Sequence, residues 1–224
     1  MTIKRDIITS VIGILVFTLL CGILYPLVIT GVSQVAFPGN ANGQQVHVGG
    51  KLAGSKLIGQ NFGDVVTNKK TGKAELDSAG NPVTTPDPRY FQTRPSGTTP
   101  SDNAAGSAFA NYGPNSTVTE QAITSNIKSY IALNGPYYPG GLTAATVPVD
   151  AADTSASGID PDISVANANI QAHRIAAVRH LPLAQVQRLV STYTGGRGLG
   201  FSGEPTVNVL GLNVAVNRVS KGSR

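Results

Sequence analysis

Residues 7–30, IITSVIGILVFTLLCGILYPLVIT, contain no Asp, Glu, Lys, Arg or His. A run of this kind sits in hydrocarbon only as a helix, because every backbone N–H and C=O must be bonded within the segment. At about 1.5 Å per residue it reaches about 36 Å, enough to cross a hydrocarbon core of about 30 Å with some tilt. The sequence therefore predicts one transmembrane helix from Ile7 to Thr30. No second run of that kind follows in residues 31–224.

Three other readings fit less well. A cleaved secretory signal has a basic start and an apolar core of about 7–15 residues that ends at small residues. Lys4 and Arg5 fit the start, but the run is too long, and Ser33-Gln34-Val35-Ala36 is a poor cleavage site. A lipidated Cys21 would follow bulky Leu20 deep inside the run. A buried helix of a soluble protein is rarely apolar all round for this length. Lys4 and Arg5 precede the helix, and the next cation is Lys51. That asymmetry places the N-terminus in the cytoplasm and the main domain outside, which in a bacterium means a single-pass protein of the inner membrane with its domain in the periplasm or on the outer face. Ser10, Gly13, Thr18, Cys21 and Gly22 are the small and hydroxylated residues that suit packing against other helices in the bilayer.

The remainder is long enough for one domain, giving a division into residues 1–35 (tip and helix) and 36–224. Gly 26, Pro 14 and no Trp in 224 residues describe a loop-rich chain. The one Cys lies in the apolar run, so no intrachain disulfide and no cysteine metal site can form. The net charge of +5 does not read as nucleic-acid binding, because the basic residues are scattered without interleaved aromatics. Asp150, Asp153, Asp160 and Asp162 lie in a stretch without Lys or Arg. It reads as a solvated surface, with a polar docking face as the alternative.

In chain order, residues 38–55 read as a linker or short strand pair, and residues 56–62 as the start of a strand. Residues 63–86 read as an exposed hairpin or loop with turn signals at Thr71-Gly72 and Gly80-Asn81-Pro82. Residues 96–116 are small and polar and offer little beyond turns. Thr117-x-x-Glu120 resembles a capping box for a helix over 117–133 that stops at Asn134-Gly135-Pro136. Residues 147–164 read as a short strand and a long polar loop. Ser164 can cap a helix over 165–180, Pro182 breaks it, and a third helix covers 183–194. Residues 206–219 start as a strand and end helical. Strands and helices mix without a βαβ rhythm, so the expected fold class is one N-terminal transmembrane helix followed by a single α+β domain.

Catalytic signatures are missing. No GxxxxGK[ST], no GxGxxG after a strand, no GxSxG and no DKTGT occurs, although Lys70-Thr71-Gly72 echoes the last. His173 and His180 are seven apart, about 10 Å along a helix, too far to share one metal easily. Residues 155–164 are rich in hydroxyls and carboxylates, and read as a loop that caps the next helix rather than as a cation site. The residues by themselves thus indicate a membrane-anchored accessory protein with no catalytic set and no metal site.

Several segments resemble one family, the C subunit of the Kdp-type potassium-transporting P-type ATPase. GSKLIGQNF (54–62) is similar to its G-S-x-L-I-G-Q-x-F, YFQTRPS (90–96) to its Y-F-x-x-R-P-S, and VPVDAADTSASGIDPDIS (147–164) to its V-P-x-D-x-x-T-x-S-A-S-G-L-D-P-x-I-S. Ala168, Gln171, Arg174, Ile175 and Arg179 follow the family's next helix. GFSGEPTVNVLGLN (200–213) and the span ending in Leu24-Tyr25-Pro26 and Thr30-Gly31 complete the likeness. Residues 63–86 look like an insertion, and residues 104–114 match only loosely.

The resemblance implies an accessory subunit of a high-affinity, ATP-driven potassium uptake complex. Its partners would be a potassium-binding channel-like subunit and an ATP-hydrolysing P-type subunit. As a catalytic chaperone it would raise the ATP affinity of the latter. The resemblance also implies Gln171 as a nucleotide contact, with ATP as the cofactor of the complex. The alternative is an independent, membrane-anchored extracytoplasmic binding or envelope protein.

Overall fold

A computed structural model describes residues 3–76, 82–95, 112–113, 115–155 and 157–222. The chain falls into two units, Met1–Gln45 and Val46–Arg224.

The first unit is built on helix α1, Ile3–Ala36. It is 34 residues long, apolar enough to cross a membrane, and none of its apolar window is buried against the rest of the chain. Both predicted ends, Ile7 and Thr30, lie inside it; the helix runs further each way because Ile3 to Asp6 and Gly31 to Ala36 carry no breaker. Its middle, Thr18–Leu24, is π-helical, with the Tyr25 N–H bonded to the Leu20 carbonyl. Pro26 has no N–H to give and its ring crowds the preceding turn, and the wider π turn just before it lets the helix continue. A one-turn helix, Pro38–Ala41, follows.

The second unit opens with a hairpin of β1 (Gln45–Val48) and β2 (Lys51–Ser55). Gly49 and Gly50 join them with φ of 59° and 77°, the doubly positive φ of a two-residue turn whose twist matches the strands. The expected strand over 56–62 does not form. Those residues run through turns and extended loop, since Gly59 and the polar Gln60 and Asn61 are held individually by other segments. Residues 63–76 and 82–86 make the two arms of an exposed hairpin, with β3 (Gly63–Val65) antiparallel to β4 (Thr84–Pro86) and isolated bridges at Thr67–Ala74 and Leu76–Pro82. The turn expected at Gly80-Asn81-Pro82, and most of residues 96–116, lie outside the described residues.

Helix α2 is Thr117–Asn134. Its cap is Ser116, whose hydroxyl accepts from the Thr119 N–H, one residue earlier than the Thr117 box expected. Residues 147–152 form no strand. Pro148 starts a one-turn helix, Val149–Ala152, where its fixed φ of −61° suits a helix entry.

The core is layered on a three-stranded antiparallel sheet in the order β5-β7-β6. Strand β5 is Asp162–Ser164, β6 is Thr194–Gly195 and β7 is Thr206–Asn208. Ile163 faces Val207 in register, and both are buried, while the alternating Asp162, Ser164, Thr206 and Asn208 turn outward. Strands β5 and β7 each feed straight into a helix: α3 (Val165–Arg179) and α5 (Val209–Gly222). The last strand residue caps each one. The Ser164 hydroxyl accepts from the Asn167 N–H, and the Asn208 carboxamide oxygen from the Gly211 N–H. Helix α4 (Leu183–Thr192) packs against α3 after His180, whose φ of 54° is the left-handed stop expected at a helix end. Phe91, Ile163, Ala172, Ile175, Val186, Val190, Leu212 and Val216 form the buried cluster. The architecture is α+β.

Candidate functional site

Residues 88–92 carry the Tyr90-Phe91-Gln92 motif and belong to no strand, yet their backbone is bonded throughout. Most of the bonds come from side chains of two helices, while the N–H groups of Arg89 and Tyr90 go to Asp87. The Asn213 carboxamide on α5 accepts from the Phe91 N–H at 2.8 Å and donates to its carbonyl at 2.9 Å. The Gln171 carboxamide on α3 does the same for Gln92, accepting at 2.7 Å and donating at 3.0 Å. Each amide imitates the two-bond exchange between paired strands. Arg174 donates through Nη1 to the carbonyls of Pro88 and Tyr90, and Arg179 through Nε to that of Arg89 at 2.6 Å. The Arg179 guanidinium also lies 4.8 Å from the centre of the Tyr90 ring.

Gln171 is therefore a buried residue, 1% exposed, and not a surface glutamine. Its remaining capacity is also used. Nε2 donates to Asn167 Oδ1 at 2.9 Å, and Oε1 accepts from Arg174 Nη2 at 2.9 Å. A carboxamide has two donors and two acceptor lone pairs, and all four are engaged. The chain of bonds extends both ways. Arg174 Nε donates to Asn134 at 2.9 Å. Asn167 accepts from the Tyr130 hydroxyl at 2.8 Å and donates to Asp150 at 3.0 Å. Asp150 also accepts from the backbone N–H and the hydroxyl of Ser164.

Burial sets the electrostatics. Arg174 is fully buried, and that desolvation lowers its pKa to about 10, only partly opposed by the Tyr130, Tyr137 and Asp87 side chains. Burial likewise pushes the Tyr130 phenol well above its ordinary range, with the Asp150 charge adding to it. Asp87 is 4% exposed, and burial alone would raise its pKa. Hydrogen bonds from the Arg89 side chain and N–H outweigh that and hold it below the usual carboxylate value.

Gln92, Arg94, Asn126, Ser129, Tyr130, Asn167 and Gln171 are among the residues lining a cleft of about 250 Å³. Its polar lining is neutral amides and hydroxyls plus one guanidinium, and Pro86, Pro95, Leu133 and Ala151 add apolar surface. Arg94 meets Asp160 at 3.5 Å and donates to the Thr154 carbonyl at 3.1 Å, and its Nε is buried without a partner among the described residues.

The acidic stretch has internal work. Asp153 accepts from the Thr154 N–H, Asp160 from the Asp162 N–H, and Asp162 from Thr206 and Asn208. With Asp150 at the head of α3, all four carboxylates hold turns and helix starts in place. His173 packs edge-on against Tyr138, 5.1 Å between ring centres, while His180 sits beyond the helix end and is exposed. No group of three or more His, Cys, Asp or Glu able to hold a metal occurs among the described residues.

Gly59 of the GQNF motif ties the acidic loop down. Its N–H donates to the Ile159 carbonyl at 2.7 Å, and a Cβ there would lie 2.6 Å from the Asp160 carbonyl oxygen. Gly59→Ala is expected to push the loop away and to cost about 1–3 kcal/mol. Chemical denaturation of the full chain in detergent measures it, as a lower midpoint at unchanged slope.

Sequence reasoning singled out Gln171, Arg174 and Arg179 but missed Asn134, Asn167 and Asn213. One signal was available: Asn167, Gln171 and Arg174 lie at i, i+4 and i+7, a polar stripe on one face of α3. Their partners on other segments are 17 to 86 residues away, beyond any periodicity.

A family model described as the c chain of K+-transporting ATPase, KdpC, matches residues 7–218. The chain is 42% identical over 209 residues to the potassium-transporting ATPase KdpC subunit of Methylococcus capsulatus, covering 93% of this chain and 95% of that one. It is 38% identical over 217 residues to the subunit of the same name from Mycobacterium tuberculosis, covering 96% and 100%. The corresponding figures for Koribacter versatilis are 38% over 211 residues, 94% and 93%.

Proposed function

The chain belongs to the KdpC family, the c chain of K+-transporting ATPases, and from that premise we propose how it serves the pump. It is an accessory subunit without chemistry of its own. Helix α1 anchors it in the inner membrane, N-terminus in the cytoplasm, by the Lys4 and Arg5 asymmetry. The α+β domain stands outside and assembles with a potassium-binding channel-like subunit and an ATP-hydrolysing P-type subunit, whose ATP affinity it raises.

The observation that carries this reading is how the polar groups are used. Gln171, Arg174 and Asp150, which could have been a reacting set, are bonded to the chain's own backbone and to one another. Such a domain acts by presenting a fixed surface. Gln171 is the candidate nucleotide contact, and it would bind an adenine edge only by exchanging its bonds to Gln92 or Asn167. With the domain outside the cytoplasm, the effect on ATP affinity travels through the assembled complex.

The test has two parts. A gentle-detergent pull-down of the tagged full-length chain from potassium-starved cells should recover both partner subunits. ATPase assays on the complex, with and without this chain, should give a lower KM for ATP when it is present. Partners that assemble, transport potassium and show the same KM without it would overturn the proposal.

A further inference from the structure

We propose that the tip of the β1–β2 hairpin, residues 48–52, seats in the anionic headgroup layer of the membrane that α1 spans. The inference rests on α1 as a membrane anchor and not on the pump reading.

Chain length supplies the first argument. Eight residues separate Ala36, the end of α1, from Gln45, the start of the hairpin. Nine backbone steps reach at most roughly 30 Å, and the helical turn Pro38–Ala41 shortens that. Wherever the domain tilts, the hairpin stays tethered close to the lipid surface, at high effective concentration.

Charge supplies the second. Between Asp6 and Asp64 the chain has no Asp or Glu. Lys51 at the tip and Lys56 just beyond β2 are both exposed. This segment therefore complements an anionic surface and no part of it repels one. Each lysine near such a surface strengthens binding by about fivefold.

The shape of the tip is the third. Val48 is 42% exposed, Leu52 59% and Leu57 48%. Across the two-residue Gly49-Gly50 turn, Val48 stands opposite Lys51 and His47 opposite Leu52, so apolar side chains project from both faces of the ribbon. A surrounding lipid phase accommodates both faces, while a protein groove would cover one. The base of the hairpin is fixed to the domain: Gln60 donates to the Ala53 carbonyl at 3.0 Å, and Asn208 to that of Lys56 at 2.9 Å. The tip is a rigid probe and loses little entropy on insertion.

The experiment uses the full chain with Cys21→Ala and a single environment-sensitive fluorophore attached through Leu52→Cys. It is reconstituted in nanodiscs of phosphatidylcholine, alone or with one quarter phosphatidylglycerol. A label attached through Leu199→Cys, a position 90% exposed on another loop, is the control. Flotation of the chain with vesicles checks the anchor separately. The expected result is quenching of the position-52 label by spin-labelled lipid, stronger with phosphatidylglycerol, and little at position 199. Lys51→Glu with Lys56→Glu should weaken the phosphatidylglycerol-dependent part by well over tenfold. A chain that floats but whose position-52 label meets aqueous iodide as freely as position 199 overturns the proposal. So does a label shielded from both iodide and lipid, which would mean a protein covers the tip.

Discussion

Replacing Arg174 by methionine should unfold the outer domain at moderate temperature, rather than silence a reaction in a domain that stays folded. Methionine fills much of the volume and removes the cost of burying a cation, a cost visible in the pKa lowered to about 10. Because the folded value lies below the ordinary arginine value, the charged form is disfavoured in the fold. The penalty is fully present below about pH 10 and relieved as pH rises beyond it. Four acceptors argue the other way. The Gln171 oxygen keeps the Gln92 N–H, and the Tyr90 carbonyl keeps a 3.2 Å bond from Gln92 Nε2. The Pro88 carbonyl and the Asn134 side-chain oxygen lose the donor that Arg174 gives them. A buried polar group left unmatched costs about 1–3 kcal/mol, and loosening residues 88–92 adds to it. We expect a net loss of about 3–5 kcal/mol, a large share of the roughly 5–15 kcal/mol that holds a domain together. Thermal unfolding of the full chain in detergent should show a drop of about 10 °C or more. Arg174→Lys should restore little of it, since one ammonium cannot reach acceptors spread around a planar guanidinium. A shift of only a degree or two for methionine would mean that the network is ornamental.

Phe91→Ala should destabilise the domain to a similar degree by a different route. Phe91 has no exposed surface and packs within the cluster formed by α3, α4, α5 and the sheet. Truncation removes a large apolar side chain and leaves a cavity that strands and helices on all sides cannot close, at about 3–5 kcal/mol. Its backbone bonds to Asn213 need no side chain, so the strap can persist while the core loosens. Phe91→Leu should therefore cost distinctly less, about 1–2 kcal/mol. Losses near zero for both leucine and alanine in denaturant titrations would show that residues 88–92 are placed by the strap alone. The core would then owe the phenyl ring nothing.

These two residues also mark where sequence reading stops. The span, the starts of α2, α3 and α4, the strand-to-helix passage after Thr206 and the α+β class were all legible, because each rests on neighbours within a few positions: an uncharged run, a hydroxyl cap, a proline, a change of period. Local errors had local causes. Ser116 beat Thr117 to the cap because its backbone is extended at ψ 123° while Thr117 is already helical. Residues 56–62 mix apolar and polar side chains as the start of a strand can, but Gly59 and Gln60 are claimed by the acidic loop and the hairpin base.

The candidate site was half legible. Gln171 stood out through the resemblance, and its apparent place was the surface of a helix. The fold put it inside, because its partner Gln92 lies 79 residues away, as Arg174 and Pro88 are 86 apart and Asn213 and Phe91 122. Local sequence could specify which segments become helix or span, since those energies are summed over adjacent residues. Whether a glutamine or arginine on a helix meets water or another segment's carbonyl depends on which distant chain packs there, and that choice exists only once α3 and α5 have closed on the loop between them.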